Sequence, residues 1–211
     1  ITRALAYPGL VLRYVTLDLI QEVLAPVLEL SLTEREAQDA LEELRLHTWL
    51  TQTDSQGRVW HRKDLRRVML KLFEDDRRSK ADEICRRAIE YYSSQKKTEA
   101  DWTECMYHRL MLTRTPEDGE AYNSEDLRHA AVEIDGDVVE LPATAEVLLK
   151  FVRTGQIAAD DVELLPRTYL PRALDSTGRR LVKAQAFGDA LRLLTHGRRE
   201  NIELNWDAGE T

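Results

Sequence analysis

The residues best suited to chemistry in this chain are cations gathered around one histidine. His61, Arg62 and Lys63 are consecutive, Arg66 and Arg67 lie about one helical turn further on, and Arg58 stands three residues before His61. Guanidinium and ammonium groups this close together suit a phosphate, because they form charge-assisted hydrogen bonds. A histidine adds a donor that titrates near neutrality. Three readings fit: a contact to a nucleic-acid phosphate track, a sensor for a nucleotide held by a neighbouring domain, or a basic surface balanced by acids elsewhere. His61, Arg62 and Lys63 are the nucleotide-sensing candidates; Arg58, Arg66 and Arg67 form the basic patch around them.

Little else in the chain points to catalysis. There is no Gly-x-x-x-x-Gly-Lys-Ser/Thr phosphate loop, no His-Glu-x-x-His and no Gly-x-Ser-x-Gly nucleophile turn. Cys85 and Cys105 are the only cysteines, too few for a metal site and expected to be reduced and buried. The acidic clusters Glu34/Glu36, Glu42/Glu43 and Glu74 to Asp76 fall on stretches expected to face solvent. His108 sits beside an apolar helical stripe and reads as a packed or hydrogen-bonded residue. Trp49, Trp60 and Trp102 read as core or interdomain anchors, since a base-stacking platform needs aromatics on one open face with cations between them. No catalytic residue, metal or cofactor is therefore assigned to this chain.

The elements that position the basic cluster follow from periodicity and caps. Residues 2–7 read as the end of a helix stopped by Pro8-Gly9. Val11 to Val15 reads as a short strand. Thr16 caps a helix carrying Leu17, Ile20, Val23 and Leu24, which Pro26 ends or redirects. Thr33 and Glu36 form a capping-box pattern before Ala37, Ala40, Leu41 and Leu44. A hairpin over 48–62 turns at Asp54-Ser55-Gln56-Gly57. A helix capped by Asp64 then carries Leu65, Val68, Met69, Leu72 and Phe73. The expected core of this first part is Leu19, Ile20, Val23, Leu41, Leu44, Leu50, Val59, Leu65, Val68 and Leu72.

The rest reads as helical. Two amphipathic helices carry Ala81, Ile84, Cys85, Ala88, Ile89 and Tyr92, then Trp102, Cys105, Met106, Leu110 and Met111. A polar loop spans 113–124, and a short helix follows through Leu127 and Ala131. Residues 134–138 fit either a hairpin turn or a connection between helices. Pro142 opens a helix stopped at Gly155, and another covers 158–165. The last helix is read over 181–194, stopped at Gly197, with Ile202, Leu204 and Trp206 in a polar tail. The stretch 184–194 has the small-large rhythm of a tetratricopeptide-like helix.

Composition sets the outer limits. The chain has 211 residues, 43% apolar and 32% charged, with a net charge of −8. That suits a globular chain of one or two domains and disfavours a general nucleic-acid binder. No apolar run approaches the roughly 18 residues of a membrane helix, and no signal-peptide pattern is present; a cytoplasmic location is expected. The chain starts at Ile1, so a cut piece or processed product is expected.

Three stretches carry a resemblance. Leu-Arg-Tyr-Val-Thr-Leu-Asp-Leu-Ile-Gln-Glu-Val-Leu-Ala-Pro (12–26), His-Arg-Lys-Asp-Leu-Arg-Arg-Val-Met-Leu (61–70) and Tyr-His-Arg-Leu-Met-Leu (107–112) resemble segments of bacterial signal-transducing ATPases of the STAND class. These are AAA+-like relatives of the NB-ARC proteins. The resemblance covers residues 1–112 and extends loosely beyond. It implies an upstream ATPase core that binds ATP or ADP, then a winged helix, then helical repeats. In that family a Met-His-Asp stretch enters the closing helix and its histidine contacts the nucleotide phosphate. Here Asp64-Leu65 match the end of that pattern, Lys63 stands where the histidine would, and His61 lies two residues earlier.

The resulting expectation is a mainly α chain: a winged-helix domain over 1–76, an irregular tetratricopeptide-like helical domain over 77–197, and a polar tail or start of a further element over 198–211. Its function would be non-catalytic coupling of an absent nucleotide-binding core to a helical sensor. The expected partners are that upstream NTPase core and downstream helical repeats, with no membrane and no specific DNA. The alternative is a winged-helix transcription regulator with a helical ligand-binding or dimerisation domain. Because the phosphate loop is missing, the isolated chain should show no ATPase activity and no micromolar ATP binding by calorimetry. Stoichiometric micromolar binding would restore an enzyme reading.

Overall fold

The computed structural model describes residues 2–72, 75–94, 98–199 and 202, with the backbone alone for Ala4 and residues 75–77. The chain is mainly helical with one small antiparallel sheet. It divides into two compact units, 1–112 and 113–211.

In the first unit, α1 (Thr2–Ala6) and a 3-10 turn (Gly9–Val11) precede β1 (Tyr14–Val15). Helix α2 (17–27) starts where the Thr16 hydroxyl accepts the Leu19 N–H at 3.3 Å. Pro26 has no N–H to donate to the Glu22 carbonyl four residues back. The helix widens there into a π-turn over Ile20–Leu24, with the Ala25 N–H bonded to the Ile20 carbonyl. Arg87 supplies the missing donor, its Nε lying 2.9 Å from the Glu22 oxygen. Helix α3 (Glu34–Leu46) begins with the full Thr33/Glu36 capping box and buries Ala37, Ala40, Leu41 and Leu44.

Strands β2 (Thr51–Thr53) and β3 (Val59–His61) form the hairpin, and β1 completes the sheet in the order β1-β3-β2. Val59 lies opposite both Val15 and Thr53. Asp54 holds the connecting loop by accepting the N–H groups of Gln56 and Arg58. Gly57 takes φ +78°, open at low cost only to glycine. The Arg45 Nη2 donates to the Gly57 carbonyl at 2.7 Å, which ties the hairpin to α3.

Helix α4 (Lys63–Lys71) differs from the sequence expectation in start and phase. Arg62 is its N-cap residue, and Asp64 lies in the first turn, paired with Arg62 at 3.0 Å. The inward positions are Arg66 and Leu70, whereas Val68 is 58% exposed and Leu72 65%. Leu65 and Met69 are half-buried. Arg66 draws the helix into this phase by reaching backbone oxygens beneath it. Phe73, placed on the same stripe by sequence, lies outside the described residues, as do Glu74 and the side chains of Asp75 and Asp76.

Helices α5 (Asp75–Ser94) and α6 (Glu99–Met111) form a hairpin that belongs to the first unit. The boundary therefore falls after Leu112, where the sequence reading put it after residue 76. Ile84, Cys85, Ala88, Tyr92, Met106, Tyr107 and Leu110 are buried. Polar bonds from Arg13, Arg66 and Arg87 cross between the hairpin and the preceding elements. Cys105 is only half-buried, unlike Cys85.

The second unit is wholly helical among its described residues: α7 (Pro116–Gly119), α8 (Ser124–Glu133), α9 (Ala143–Thr154), α10 (Leu170–Lys183) and α11 (Phe187–Arg199), with 3-10 turns over Asp135–Glu140, Ala159–Leu164 and Arg167–Tyr169. Residues 134–138 thus form a connection between helices, not a β-hairpin. Gly155 closes α9 at φ +68°. A Cβ on Gly119 would lie 2.4 Å from the Pro166 ring, so the Gly119 backbone sits against that ring as only glycine permits. The helix read over 181–194 is two helices, broken at Ala184 to Ala186 with Gln185 at φ +59°. Gly197 does not stop α11; it is buried inside it. Of the tail residues, Leu204 and Trp206 lie outside the described residues.

These burial differences set two stabilities apart. Leu41→Ala should cost about 2–4 kcal/mol, as for a buried leucine. Val68→Ala should change stability by less than about 0.5 kcal/mol, as on an open surface. Urea denaturation of both variants measures this; equal losses would place Val68 inside after all.

Candidate functional site

The six basic-cluster residues part company in the structure. His61 is buried at the end of β3, with Nδ1 3.3 Å from the Leu12 carbonyl oxygen and no hydrogen-bond partner for Nε2 among the described residues. Arg66 is buried too. Its Nε donates to the Leu10 carbonyl at 2.7 Å, and its Nη2 to the Val11 carbonyl at 2.8 Å and to the Tyr107 hydroxyl at 2.6 Å. Arg58 lies over the rings of Tyr14 and Trp60, 5.0 and 5.2 Å from their centroids, and pairs with Asp54 at 2.7 Å. Arg62, Lys63 and Arg67 remain exposed. The structure thus brings Arg62 and Lys63 together at the start of α4 and withdraws His61 and Arg66 from solvent.

Of what collects around Arg66, sequence singled out His108 as a packed or hydrogen-bonded residue, but not the Arg13–Glu104 pair. Arg13 and Glu104 form a buried ion pair, Nη2 to Oε1 2.5 Å and Nε to Oε2 3.1 Å. The Tyr107 ring is approached by two guanidinium groups, those of Arg13 and Arg66, each 5.1 Å from its centroid. His108 is fully buried, lies parallel to the Tyr92 ring with centroids 6.1 Å apart, and has no hydrogen-bond partner for either ring nitrogen among the described residues. The Tyr92 hydroxyl donates to that of Tyr14 at 3.3 Å. The signal for this network was present: Arg13 interrupts a run of apolar residues, and Glu104 falls between Trp102 and Met106. Charged residues at core positions are rarely buried without a partner.

The charges of this core follow from its geometry. Burial, reinforced by Arg66, holds His61 down at about 4. Burial, then Arg66 and Arg13, holds His108 down at about 3. Both are neutral at pH 7. Tyr92 and Tyr14 are pushed up by burial and by Glu104. With Glu104 engaged by Arg13 and both histidines buried, the network ties the early chain, α4 and α6 together.

The second notable surface is α3. Its outward face carries Glu34, Glu36, Asp39, Glu42 and Glu43 against Arg35 and Arg45. Arg45 is already engaged by Glu42 at 2.5 Å and by the Gly57 carbonyl. The face ends in Leu46, 79% exposed, and Trp49, 62% exposed, so, of the core or interdomain anchor roles expected from sequence, Trp49 does not fill the core one. Trp60 does pack, against Tyr14 at 4.9 Å, and Trp102 is half-buried.

No protein-family model, curated protein or solved structure matches this chain. No helix among the described residues is long and apolar enough to cross a membrane.

The buried histidines make stability depend on pH. Each is depressed when folded and titrates near 6.5 when unfolded. The unfolded chain therefore takes up protons first as pH falls. Stability should be greatest above about pH 6.5 and decline towards pH 4, at up to about 1.4 kcal/mol per unit for each histidine. His108→Phe keeps a ring against Tyr92 and removes one titrating group. It should roughly halve the slope in urea titrations at pH 5 and 7; an unchanged slope would count against the neutral His108.

Proposed function

We propose that this chain is a non-catalytic regulatory segment of a STAND-type signalling ATPase. In this reading residues 11–72 form a winged helix whose wing is the β2–β3 hairpin, and the second unit serves as an irregular tetratricopeptide-like sensor or interaction domain. The chain works in the cytoplasm and responds to ATP or ADP held by an upstream core. The observation that carries the proposal is the Arg66–Tyr107 bond. Arg66 sits one turn beyond Arg62 and Lys63, the exposed cations at the start of α4. A phosphate engaged there would pull on α4, and Arg66 would hand the displacement to α6. Helix starts favour anions, which suits Lys63 and Arg62 to that role. His61, buried at the end of β3, is left out of the contact.

The transcription-regulator reading places α3 in the major groove. Five acids there would face phosphates on both sides, and one of the two arginines is committed to Gly57 and Glu42. That composition favours a protein neighbour for α3.

Two measurements separate the readings. Selection from a randomised duplex library at physiological salt should enrich no sequence. Nanomolar binding to one sequence, lost on Arg35→Ala, would make the DNA-binding reading the better one. In the protein encoded by the complete reading frame, a phosphate-loop core should precede this chain. Lys63→Ala should then change ADP retention about ten-fold, within the usual range of coupling between sites. A frame without a phosphate loop, or unchanged retention, would sink the proposal.

A further inference from the structure

The stripe that sequence assigns to the core of the first unit is left open on α4. Leu65, Val68, Met69 and Leu72 recur at the i, i+3, i+4, i+7 spacing of a buried helix face. At about 100° per residue they share an arc of roughly 100°, the width of a face that packs against another element. The fold turns Arg66 and Leu70 inward instead. Leu65 and Met69 are half-buried, while Val68 and Leu72 are more exposed than covered. Four apolar side chains contiguous on one face differ from the single exposed leucines of any surface; they mark an interaction site. The arc is bordered on one side by charge. Lys63, Arg67 and Lys71 follow there at four-residue steps, all exposed. The only acid of the helix, Asp64, is engaged by Arg62 at 3.0 Å.

We propose that α4 docks an acidic amphipathic helix of a partner protein along this stripe. Side chains at this spacing form ridges that fit the grooves of a second helix, which reads them as anchors one turn apart. The cations at 63, 67 and 71 set the charge of the partner. Carboxylates along its flank meet them, whereas a basic helix is repelled. The chain's net charge of −8 acts on any acidic partner from afar, but screening confines it to about 8 Å at physiological salt, so the local cations decide at contact. A nucleic-acid backbone would use the cations and leave the apolar arc wet. An anionic bilayer needs apolar side chains that stand clear of the protein, and half of this arc, Leu65 and Met69, is half-buried against it. The docking does not depend on the nucleotide reading, since the stripe is the same with or without a nucleotide-binding core upstream.

The test is fluorescence anisotropy of a labelled synthetic helix titrated with the 211-residue chain. The probe is a capped peptide of leucine, alanine and glutamate with leucine on one stripe; its counterpart carries lysine in place of glutamate. The glutamate peptide should bind saturably in the micromolar range at physiological salt, at least about ten-fold tighter than the lysine peptide. Val68→Ser with Leu72→Ser should weaken it by about ten-fold or more. The urea midpoint of that variant should stay near the parent's, because both side chains are exposed. Arg67→Glu with Lys71→Glu should reverse the preference, so that the lysine peptide binds the tighter; a folding defect would instead weaken both. No saturable binding, equal affinity for the two peptides, or an unaltered affinity in the serine variant would each overturn the proposal. So would a parent chain that ignores both peptides yet sediments with phosphatidylserine vesicles through Val68 and Leu72, which would give the stripe to a bilayer.

Discussion

The first unit depends on one guanidinium. Arg66 is a charged side chain in the middle of a core, and its burial is tolerated because its bonds run to two backbone carbonyls and a tyrosine hydroxyl. An unpaired buried cation is costly, and removing one partner of such a group is far more damaging than never having had it. The segment from Leu10 to Leu12, helix α4 and helix α6 are therefore held by the same group. Arg13 and Glu104 repeat the link between the early chain and α6 beside Tyr107. The α5–α6 hairpin cannot be treated as a separate body while these contacts stand, which explains why the unit closes at Leu112.

Local signals were legible and long-range ones were not. The Thr33/Glu36 box, the Thr16 cap, the Asp54 to Gly57 turn and the Gly155 stop each involve residues within a few positions of one another, and each appears where the sequence placed it. The phase of α4 was misread because arginine is ordinarily a surface residue, so Arg66 was assigned outward and Val68 inward. Nothing nearby in sequence reveals that carbonyls of Leu10 and Val11 wait beneath it. The break at Gln185 was hidden for a different reason: it uses a left-handed conformation without the glycine that usually announces one.

The same distinction governs the candidate site. The cations at 58–67 were visible as a cluster, yet the cluster dissolves once contacts from residues 10–14 and 104–108 are added. Arg58 becomes part of an aromatic stack, His61 and Arg66 become core, and only Arg62, Lys63 and Arg67 face outward. Sequence proximity gathered side chains that the fold sends to opposite sides of one small sheet and helix. The acidity of α3, in contrast, was readable at once, because its exposed face follows from the helical period alone.

The widened turn at Ile20 to Leu24 ties this helix to a side chain of another. A π-turn has the geometry left by one residue added to an α-helix, rotating everything beyond it by about 100°. In α2 that rotation keeps Ala25 and Val27 inward while Pro26 points out. Arg87 then acts as a graft from another helix, bonding the one carbonyl that the proline cannot serve. The two positions are thereby coupled: a residue bearing an N–H at position 26 would offer the Glu22 carbonyl a donor of its own, and loss of Arg87 would leave that carbonyl without the one it has.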